Sequence, residues 1–207
     1  MFRKNSMDRI EIIQSLIDKC KATSYLEIGV QNGNCFSAIK CEHKIGIDPE
    51  SKYVENVFKC TSDEFFSLHV KATKFDVIFI DGLHTAEQVE KDIENALKVL
   101  NINGYIVCHD CNPTKEEEQI VPRMSKRWNG SVWKGWVRQR YALAYKMFVV
   151  DCDEGCGVIS ISSLIDDEKH SHMNLTDKNL TYANLEKNRK KWLGLIAVEE
   201  FVEWLKE

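Results

Sequence analysis

The chain has 207 residues, which is long enough for one domain with a substantial core and short for two. It is 43% hydrophobic and 29% charged with only three prolines, and this composition excludes a disordered or collagen-like chain. Its 28 Lys and Arg against 32 Asp and Glu give a net charge of -4. That balance provides no global basic field for binding nucleic acid or a membrane surface.

The N-terminal residues carry charge but lack the apolar segment of a signal peptide. The longest aliphatic or aromatic run, near Val77 to Ile80, is far too short to cross a membrane, so we expect no membrane insertion. In a chain without a secretion signal, the eight cysteines indicate reduced thiols. The expected location is cytoplasmic.

Short β-rich runs alternate with amphipathic stretches along the chain, a pattern typical of βαβ units around a parallel sheet. We predict a Rossmann-like, doubly wound α/β fold: a mostly parallel seven-stranded sheet with an antiparallel C-terminal strand pair and helices on both faces. The predicted strands cover residues 25–30, 44–48, 57–60, 75–81, 105–110, 145–150 and 158–161. The whole chain, residues 1–207, is one domain, with an N-terminal helix within 1–22, a catalytic core over 25–161 and a C-terminal extension and helix over 162–207.

Helices are predicted from apolar residues at helical spacing. The sequence Thr85 to Gln88 has the pattern of a capping box and precedes a helix of about four turns. Residues 162–191 are polar and weakly patterned, and a long polar loop spans 111–130. The remaining predicted helices are marked by Ile10, Ile13, Ile17 and Cys20, by Trp133, Trp136 and Val137, and by Val198, Phe201, Val202 and Leu205.

Polar side chains follow several of the predicted strands. In an open α/β sheet the ligand binds outside the carboxyl ends of the strands, where the winding direction reverses. The ends of strands one, two, four and five therefore predict the site. They carry Glu27 to Gly33, Asp48, Asp81 to His84, and His109 with Asp110.

The turn after strand one contains Gly29 and Gly33 but not the glycine spacing of a dinucleotide-binding turn, because Gln31 and Asn34 occupy the second and third glycine positions. A pyrophosphate therefore fits poorly. Backbone N–H groups of such a turn suit a carboxylate, such as that of a methionine moiety. Asp48 can accept hydrogen bonds from both hydroxyls of a ribose.

The chain resembles the class I S-adenosylmethionine-dependent methyltransferases, whose first motif is an acidic residue followed by x-Gly-x-x-x-Gly, as in Glu27, Gly29 and Gly33. Later segments look like the small O-methyltransferases found with glycosyltransferases and natural-product pathways. These segments are Phe75–His84, Gly104–Asp110, Trp128–Lys134 and Gly155–Ile159. The resemblance, which runs from about residue 25 to the C-terminus, implies S-adenosylmethionine as the cofactor, held by Glu27, Gly29, Gln31, Gly33, Asp48, Ser62, Asp63 and Asp81.

Some members of that subfamily bind a divalent metal at the ends of strands four and five, which implies Asp81, His109 and Asp110 as metal ligands here. His109 replaces a carboxylate, and Mn²⁺ tolerates an imidazole better than Mg²⁺ does. In the alternative interpretation these residues bond only each other and the nearby backbone.

Methyl transfer from a sulfonium is an in-line displacement, so the protein mainly has to position the acceptor and manage its proton. We predict His84, ahead of His109, as the base, with Asp81 as a further catalytic residue. The resemblance implies a sugar hydroxyl as acceptor, with a deoxyhexose such as rhamnose in a surface glycan as the best candidate.

Other functions remain open at this stage. Residues 119–150 contain seven Lys and Arg, no acidic residue and five Trp or Tyr side chains, which makes a nucleic-acid methyltransferase a competing alternative. That class lacks support because the Asn/Asp-Pro-Pro-aromatic motif is missing. In the structural interpretation of the same stretch, Trp133 and Trp136 lie in the core while Arg138 and Arg140 are solvated.

Three further alternatives are a small-metabolite methyltransferase, a non-catalytic cofactor-binding module, and a zinc or redox site formed by Cys108, Cys111, Cys152 and Cys156. His170 and His172 are predicted to be solvated. A homodimer is compatible with the sequence.

Overall fold

The structure is a computed structural model that describes residues 7–53, 55–70, 72–164 and 175–207. His170 and His172 lie outside these described residues. The strands are β1 (Ser24–Ile28), β2 (His43–Ile47), β3 (Val57–Phe58), β4 (Phe75–Ile80), β5 (Leu100–Cys108), β6 (Tyr145–Val150), β7 (Cys156–Leu164) and β8 (Leu195–Ile196). The helices are α1 (Arg9–Cys20), α2 (Asn34–Ala38), α3 (Ser62–Leu68), α4 (Ala86–Val99), α5 (Val132–Ala142), α6 (Tyr182–Leu193) and α7 (Val198–Trp204).

All the strands form one sheet in the order β3-β2-β1-β4-β5-β7-β6-β8. The pairs from β3 to β5 are parallel, and β7 runs antiparallel to both β5 and β6. The predicted Rossmann-like α/β fold is therefore confirmed. The winding direction reverses at β1, which has β2 on one side and β4 on the other. The predicted count of seven strands is wrong, because β8 adds an eighth in parallel with β6. Its two residues are too few to give a periodic pattern in the sequence.

Helices cover both faces of the sheet, as predicted. On one face α4, α5 and α6 pack on a core that contains the fully buried Trp133 and Trp136. On the other face α1, α2 and α7 contribute Ile12, Phe36 and Phe201, which are also fully enclosed. This double cover explains why β4 reads as an almost continuous apolar run. No helix in the described ranges is both long enough and apolar enough to cross a membrane.

The four-turn helix expected after strand four is confirmed as α4, but its predicted capping box is only half formed. The Thr85 hydroxyl accepts the backbone N–H of Gln88 at 3.4 Å. The Gln88 amide does not return to the Thr85 backbone, because it donates instead to Ser62, Asp63 and Asp92. The tertiary contacts of Gln88 thus outweigh the local cap.

Helix α6 lies in the stretch that the sequence showed as weakly patterned. Its inner face carries Tyr182, Leu185 and Trp192, with Arg189 at the position between the last two. Arg189 donates to the Asn112 side chain and to the backbone beyond it. A cation in the middle of the inner face interrupts the apolar stripe by which a helix is recognised in a sequence.

The basic, aromatic stretch over residues 119–150 does not form one open surface. Trp133 and Trp136 are both 0% exposed, as the structural interpretation expected. The expectation that Arg138 and Arg140 are solvated is wrong: Arg138 pairs with Glu90, and the 8% exposed Arg140 donates to backbone carbonyls. These two charges stabilise the packing of α5, which weakens the nucleic-acid alternative.

Candidate active site

The first βα turn, between β1 and α2, packs directly on the end of β4. Gly29 has a φ of 94°, and a Cβ at this position would lie 2.0 Å from the carbonyl oxygen of Asp81. Gly33 has a φ of 77°, and a Cβ there would collide with the Tyr53 ring. Both positions therefore require glycine. The structure places the predicted cofactor residues Gly29, Gln31 and Gly33 in one turn beside Asp81.

Asp48, at the end of β2, is joined to this turn. Its carboxylate accepts the backbone N–H of Gln31 at 2.7 Å on one oxygen and that of Glu50 at 2.7 Å on the other. An ionised carboxylate offers about four acceptor positions, so each oxygen keeps one for a further donor. The two backbone bonds fix the orientation of Asp48 and leave it able to accept two hydroxyls.

Glu27 lies beneath the turn and is 0% exposed. One carboxylate oxygen accepts the Tyr25 hydroxyl at 2.6 Å, and the other has no hydrogen-bond partner among the described residues. Burial raises the pKa of Glu27 to about 7, against the opposing hydrogen bonds from Tyr25 and Cys35. The enclosed carboxyl supports the turn from below, and direct contact of Glu27 with a cofactor stays a prediction.

Glu27→Gln is expected to gain stability relative to the native chain as the pH rises from 5 to 8. A carboxyl with a pKa near 7 when folded and near 4.5 when unfolded binds more protons in the native state between those values. The free energy of unfolding of the native chain therefore falls over this range, by about 3 kcal/mol at most. Urea unfolding of both proteins at pH 5 and pH 8 measures the difference. An equal stability difference at the two pH values would contradict the shifted pKa.

Ser62 and Asp63, at the start of α3, lie at the same edge of the sheet. They are linked by Gln88, whose amide nitrogen donates to the Ser62 hydroxyl at 3.2 Å and to Asp63 at 3.1 Å. The same nitrogen donates to Asp92 at 3.1 Å. Burial raises the pKa of Asp92 to about 6. Gln88 and Asp92 were missed by the sequence analysis, because Gln88 matched a capping pattern and Asp92 lies on the inner face of α4.

Four of the predicted site residues converge where β4 and β5 end. Asp81 Oδ1 lies 3.3 Å from His84 Nε2 and 3.5 Å from His109 Nδ1. Asp110 Oδ2 lies 3.3 Å from His84 Nδ1 and 3.1 Å from His109 Nδ1. We call these four residues the acid–imidazole cluster. Its two imidazoles are separated by carboxylates, an arrangement suited to storing and moving a proton.

The charges of the cluster reinforce each other. Burial would raise the pKa of Asp81, but the imidazoles of His109 and His84 outweigh it and hold that pKa below its usual value. Burial likewise would lower the pKa of both histidines, yet the neighbouring carboxylates raise the pKa of His84 and raise that of His109 well above the ordinary range. Asp81 is therefore ionised, and the imidazoles hold protons readily.

The two histidines differ in access. The His84 side chain is 19% exposed and its ring stacks on Trp128, with centroids 4.9 Å apart. The His109 side chain is 2% exposed and lies edge-on to Phe79. A base has to reach the acceptor. The geometry favours His84 as the base, in the predicted order, and gives His109 a supporting position.

Arg9 and Asp153 are part of this site although the sequence analysis did not find them. The Arg9 guanidinium donates to Asp81 at 3.0 Å and to Asp153 at 2.8 and 3.1 Å. Arg9 is the first residue of α1, and Asp153 lies in the connection between β6 and β7, with a φ of 38°. No local pattern marks a contact across 72 or 144 residues. The only signal was a cluster of acidic and glycine residues, 153–157, following a strand.

The residues for a divalent metal at this edge fit in part. Asp81, His84 and Asp110 each offer a ligand atom within 4.8 Å of the other two. Oxygen and imidazole donors suit Mn²⁺ better than Mg²⁺. His109, which the resemblance implied as a ligand, is not in that group and belongs to another, with Asp153 and Cys156. His109 Nδ1 nevertheless lies 3.5 Å from Asp81 Oδ1 and 3.1 Å from Asp110 Oδ2, so the set Asp81, His109 and Asp110 stays a prediction.

The eight cysteines are free thiols in the structure. The proposed four-cysteine zinc site does not form. Cys108 and Cys111 pack in the core on one face of the sheet, whereas Cys152 and Cys156 pack on the other. The sheet itself separates the two pairs.

Comparison with known proteins is consistent with this fold. A family model described as a methyltransferase domain matches residues 26–111, which contain the glycine turn, Asp48 and the acid–imidazole cluster. An uncharacterized protein of Acanthamoeba polyphaga mimivirus is 27% identical in an alignment covering 50% of this chain and 58% of that protein. The match thus spans little more than half the length of this curated relative.

Several solved structures have the same fold at low sequence identity. A Klebsiella pneumoniae protein described as an O-methyltransferase aligns with a TM-score of 0.58 and 11% identity, over 78% of this chain and 84% of that one. A Bacillus cereus O-methyltransferase in complex with S-adenosylhomocysteine gives 0.53 and 16%, over 76% and 82%. A Streptomyces achromogenes O-methyltransferase of tomaymycin synthesis, in complex with S-adenosylmethionine, gives 0.53 and 14%, over 75% and 80%. This chain therefore shares its fold with these O-methyltransferase structures, and the family model over residues 26–111 is that of a methyltransferase domain.

Proposed function

We propose that the chain is an S-adenosylmethionine-dependent O-methyltransferase whose acceptor is a sugar hydroxyl. One observation carries the proposal: the turn from Gly29 to Gly33 is hydrogen-bonded to Asp48 and packs against Asp81. The turn would hold the methionine end of the cofactor, and Asp48 its ribose. The acid–imidazole cluster then lies next to the cofactor site, where the acceptor has to be deprotonated.

Asp48→Ala is expected to weaken S-adenosylhomocysteine binding by about 10²-fold, because two hydrogen bonds from the ribose to a charged acceptor are lost. Calorimetric titration of S-adenosylhomocysteine into the purified protein measures this before any acceptor is identified. Glu50→Ala is the matched control, since it removes a neighbouring exposed charge outside the site. If the native chain does not bind S-adenosylhomocysteine, the proposed activity is wrong.

The proton of the acceptor would pass to His84. When bound, S-adenosylmethionine supplies the methyl group from a sulfonium, and the acceptor oxygen loses its proton as the new bond forms. Asp110, 3.3 Å from His84 Nδ1, favours a proton on that nitrogen and leaves Nε2 to accept. Asp81, 3.3 Å from Nε2, then stabilises the imidazolium. Because the carboxylates raise the pKa of His84, its base form dominates only above the ordinary range of histidine.

The sugar acceptor is supported by the sequence resemblance to O-methyltransferases found with glycosyltransferases. A small metabolite is the alternative acceptor, since one structure of similar fold is named for tomaymycin synthesis. A transfer assay with a radiolabelled methyl donor separates them: deoxyhexoses such as rhamnose and their glycosides form one panel, and phenolic hydroxyls the other. Transfer to phenols alone would exclude the sugar.

We also propose a divalent metal at Asp81, His84 and Asp110, whose ligand atoms are mutually within 4.8 Å. Such an ion would lower the pKa of a bound hydroxyl. His84 would then coordinate the metal and would not accept the proton of the acceptor. His84 cannot be both the base and a metal ligand, and chelation of the metal distinguishes these two roles.

Chelation is expected to lower the methyl-transfer rate about tenfold or more if the metal assists the reaction, because a metal-bound hydroxyl is deprotonated more easily. The assay compares EDTA-treated protein before and after addition of Mn²⁺, Mg²⁺ or Zn²⁺. Recovery with Mn²⁺ would support the site. A rate that EDTA leaves unchanged would contradict metal assistance and leave His84 as the base.

A further inference from the structure

A second group of potential metal ligands lies behind the acid–imidazole cluster. It consists of His109 from the end of β5, Asp153 from the connection after β6, and Cys156 at the start of β7. One nitrogen, one oxygen and one sulfur atom of these residues lie within 4.8 Å of one another. His109 is 3% exposed and Cys156 is 0% exposed. Three different donors from two chain segments thus meet in a protected position.

His109 is incompletely satisfied there. Neither of its ring nitrogens makes a well-aligned hydrogen bond to a described residue, although both are buried. Nδ1 is 3.1 Å from Asp110 Oδ2, while Nε2 points to the other side, 3.7 Å from Asp153 Oδ2. Imidazoles that bind a metal commonly turn their other nitrogen to a carboxylate. Asp110 and His109 have this arrangement, with Nε2 as the free donor atom.

We infer that His109 Nε2, Asp153 and Cys156 form a structural binding site for Zn²⁺ or a chemically similar transition-metal ion. A thiolate, an imidazole and a carboxylate are the donors that Zn²⁺ takes in proteins, usually with a fourth ligand completing a tetrahedron. The Cys152 thiol is hydrogen-bonded to that of Cys156 but is outside this group of mutually close ligand atoms, so a water molecule would be the fourth ligand. A thiolate and a carboxylate together balance the charge of the ion, so the site can be buried.

Arg9 is compatible with this site. It donates to both oxygens of Asp153. Carboxylate ligands of metals are themselves hydrogen-bonded, and the bonds that Arg9 donates to both oxygens of Asp153 would fix the orientation of this carboxylate. The ligand atoms need to approach to about 3.3–3.8 Å of one another around a tetrahedral ion. Asp153 lies in the short connection between β6 and β7, so it is the ligand that would make this adjustment, while Cys156 is held in β7.

The ion would fasten the end of β5 to the connection between β6 and β7. That connection carries Asp153, and Asp153 holds Arg9 against Asp81. The zinc site would therefore stabilise the geometry of the active site without touching the acceptor. It uses different ligands from the group Asp81, His84 and Asp110, so its presence can be tested independently of methyl transfer.

The test measures the metal content of the full chain, produced in zinc-supplemented medium and exchanged into metal-free buffer without a chelator. Elemental mass spectrometry is expected to find about one zinc ion per native chain, and less than about a tenth of this zinc content in Cys156→Ser. Cys60→Ser is the matched cysteine control, because Cys60 lies between β3 and α3, in a different part of the sequence from the proposed ligands. Both Cys60→Ser and His84→Ala should keep the zinc.

The native chain provides a second measurement if Cys156→Ser does not fold. Replacement of zinc by Co²⁺ should produce a sulfur-to-cobalt charge-transfer band in the near ultraviolet, which oxygen and nitrogen ligands do not produce. Native protein without zinc and without this band would overturn the inference. Zinc that persists in Cys156→Ser, or that disappears in His84→Ala, would overturn it as well.

Discussion

Asp81→Asn is expected to lower kcat by about 10³-fold or more. Asparagine keeps the shape of the side chain but removes the charge that faces His84, His109 and Arg9. Without that charge the imidazolium formed at His84 loses its stabilisation. The measurement is the single-turnover rate of methyl transfer at saturating cofactor.

Asp76→Asn is the control for this loss. Asp76 lies near the opposite end of the same strand and accepts hydrogen bonds from Thr23, Ser24 and Asn101. Its substitution should lower the free energy of unfolding while leaving kcat near the native value. A similar drop in kcat for both variants would mean that Asp81 acts through the stability of β4 and not through the charge at its end.

His84→Ala is expected to lower kcat by about 10²- to 10⁴-fold, the range associated with loss of a general base. Its affinity for S-adenosylhomocysteine should stay within about threefold, because none of the predicted cofactor contacts involves this side chain. The substitution leaves a space beside the Trp128 ring, on which His84 stacks. Added imidazole should enter that space and restore part of the rate.

His43→Ala controls for the loss of an imidazole elsewhere, since the His43 side chain is 73% exposed at the start of β2. It should retain the native rate and not respond to imidazole. Native turnover of His84→Ala on a confirmed acceptor would remove His84 from the mechanism. If added Mn²⁺ restores the kcat of His84→Ala and imidazole does not, His84 is a metal ligand.

The prediction of the fold succeeded where the pattern was local. The β-rich runs and the apolar face of α4 need only neighbouring residues to be recognised. The prediction was wrong for β8, which is two residues long, and α6 was missed because Arg189 interrupts its inner face. In both cases a partner distant in sequence stabilises the element.

The site follows the same division. Local sequence patterns were enough to predict the glycine turn, Asp48 and the acid–imidazole residues as candidates, because the carboxyl ends of parallel strands meet at one edge. Only the tertiary structure decided which of the two histidines is accessible, since both follow strands and differ only in burial.

Tertiary structure also brought Arg9 and Asp153 to that edge, from the first helix and from a connection near the end of the sheet. Neither residue has a neighbour in sequence that would indicate its contact. Strand ends can be read from hydrophobic periodicity, whereas the partner of a buried charge depends on which segments the packed core places beside it.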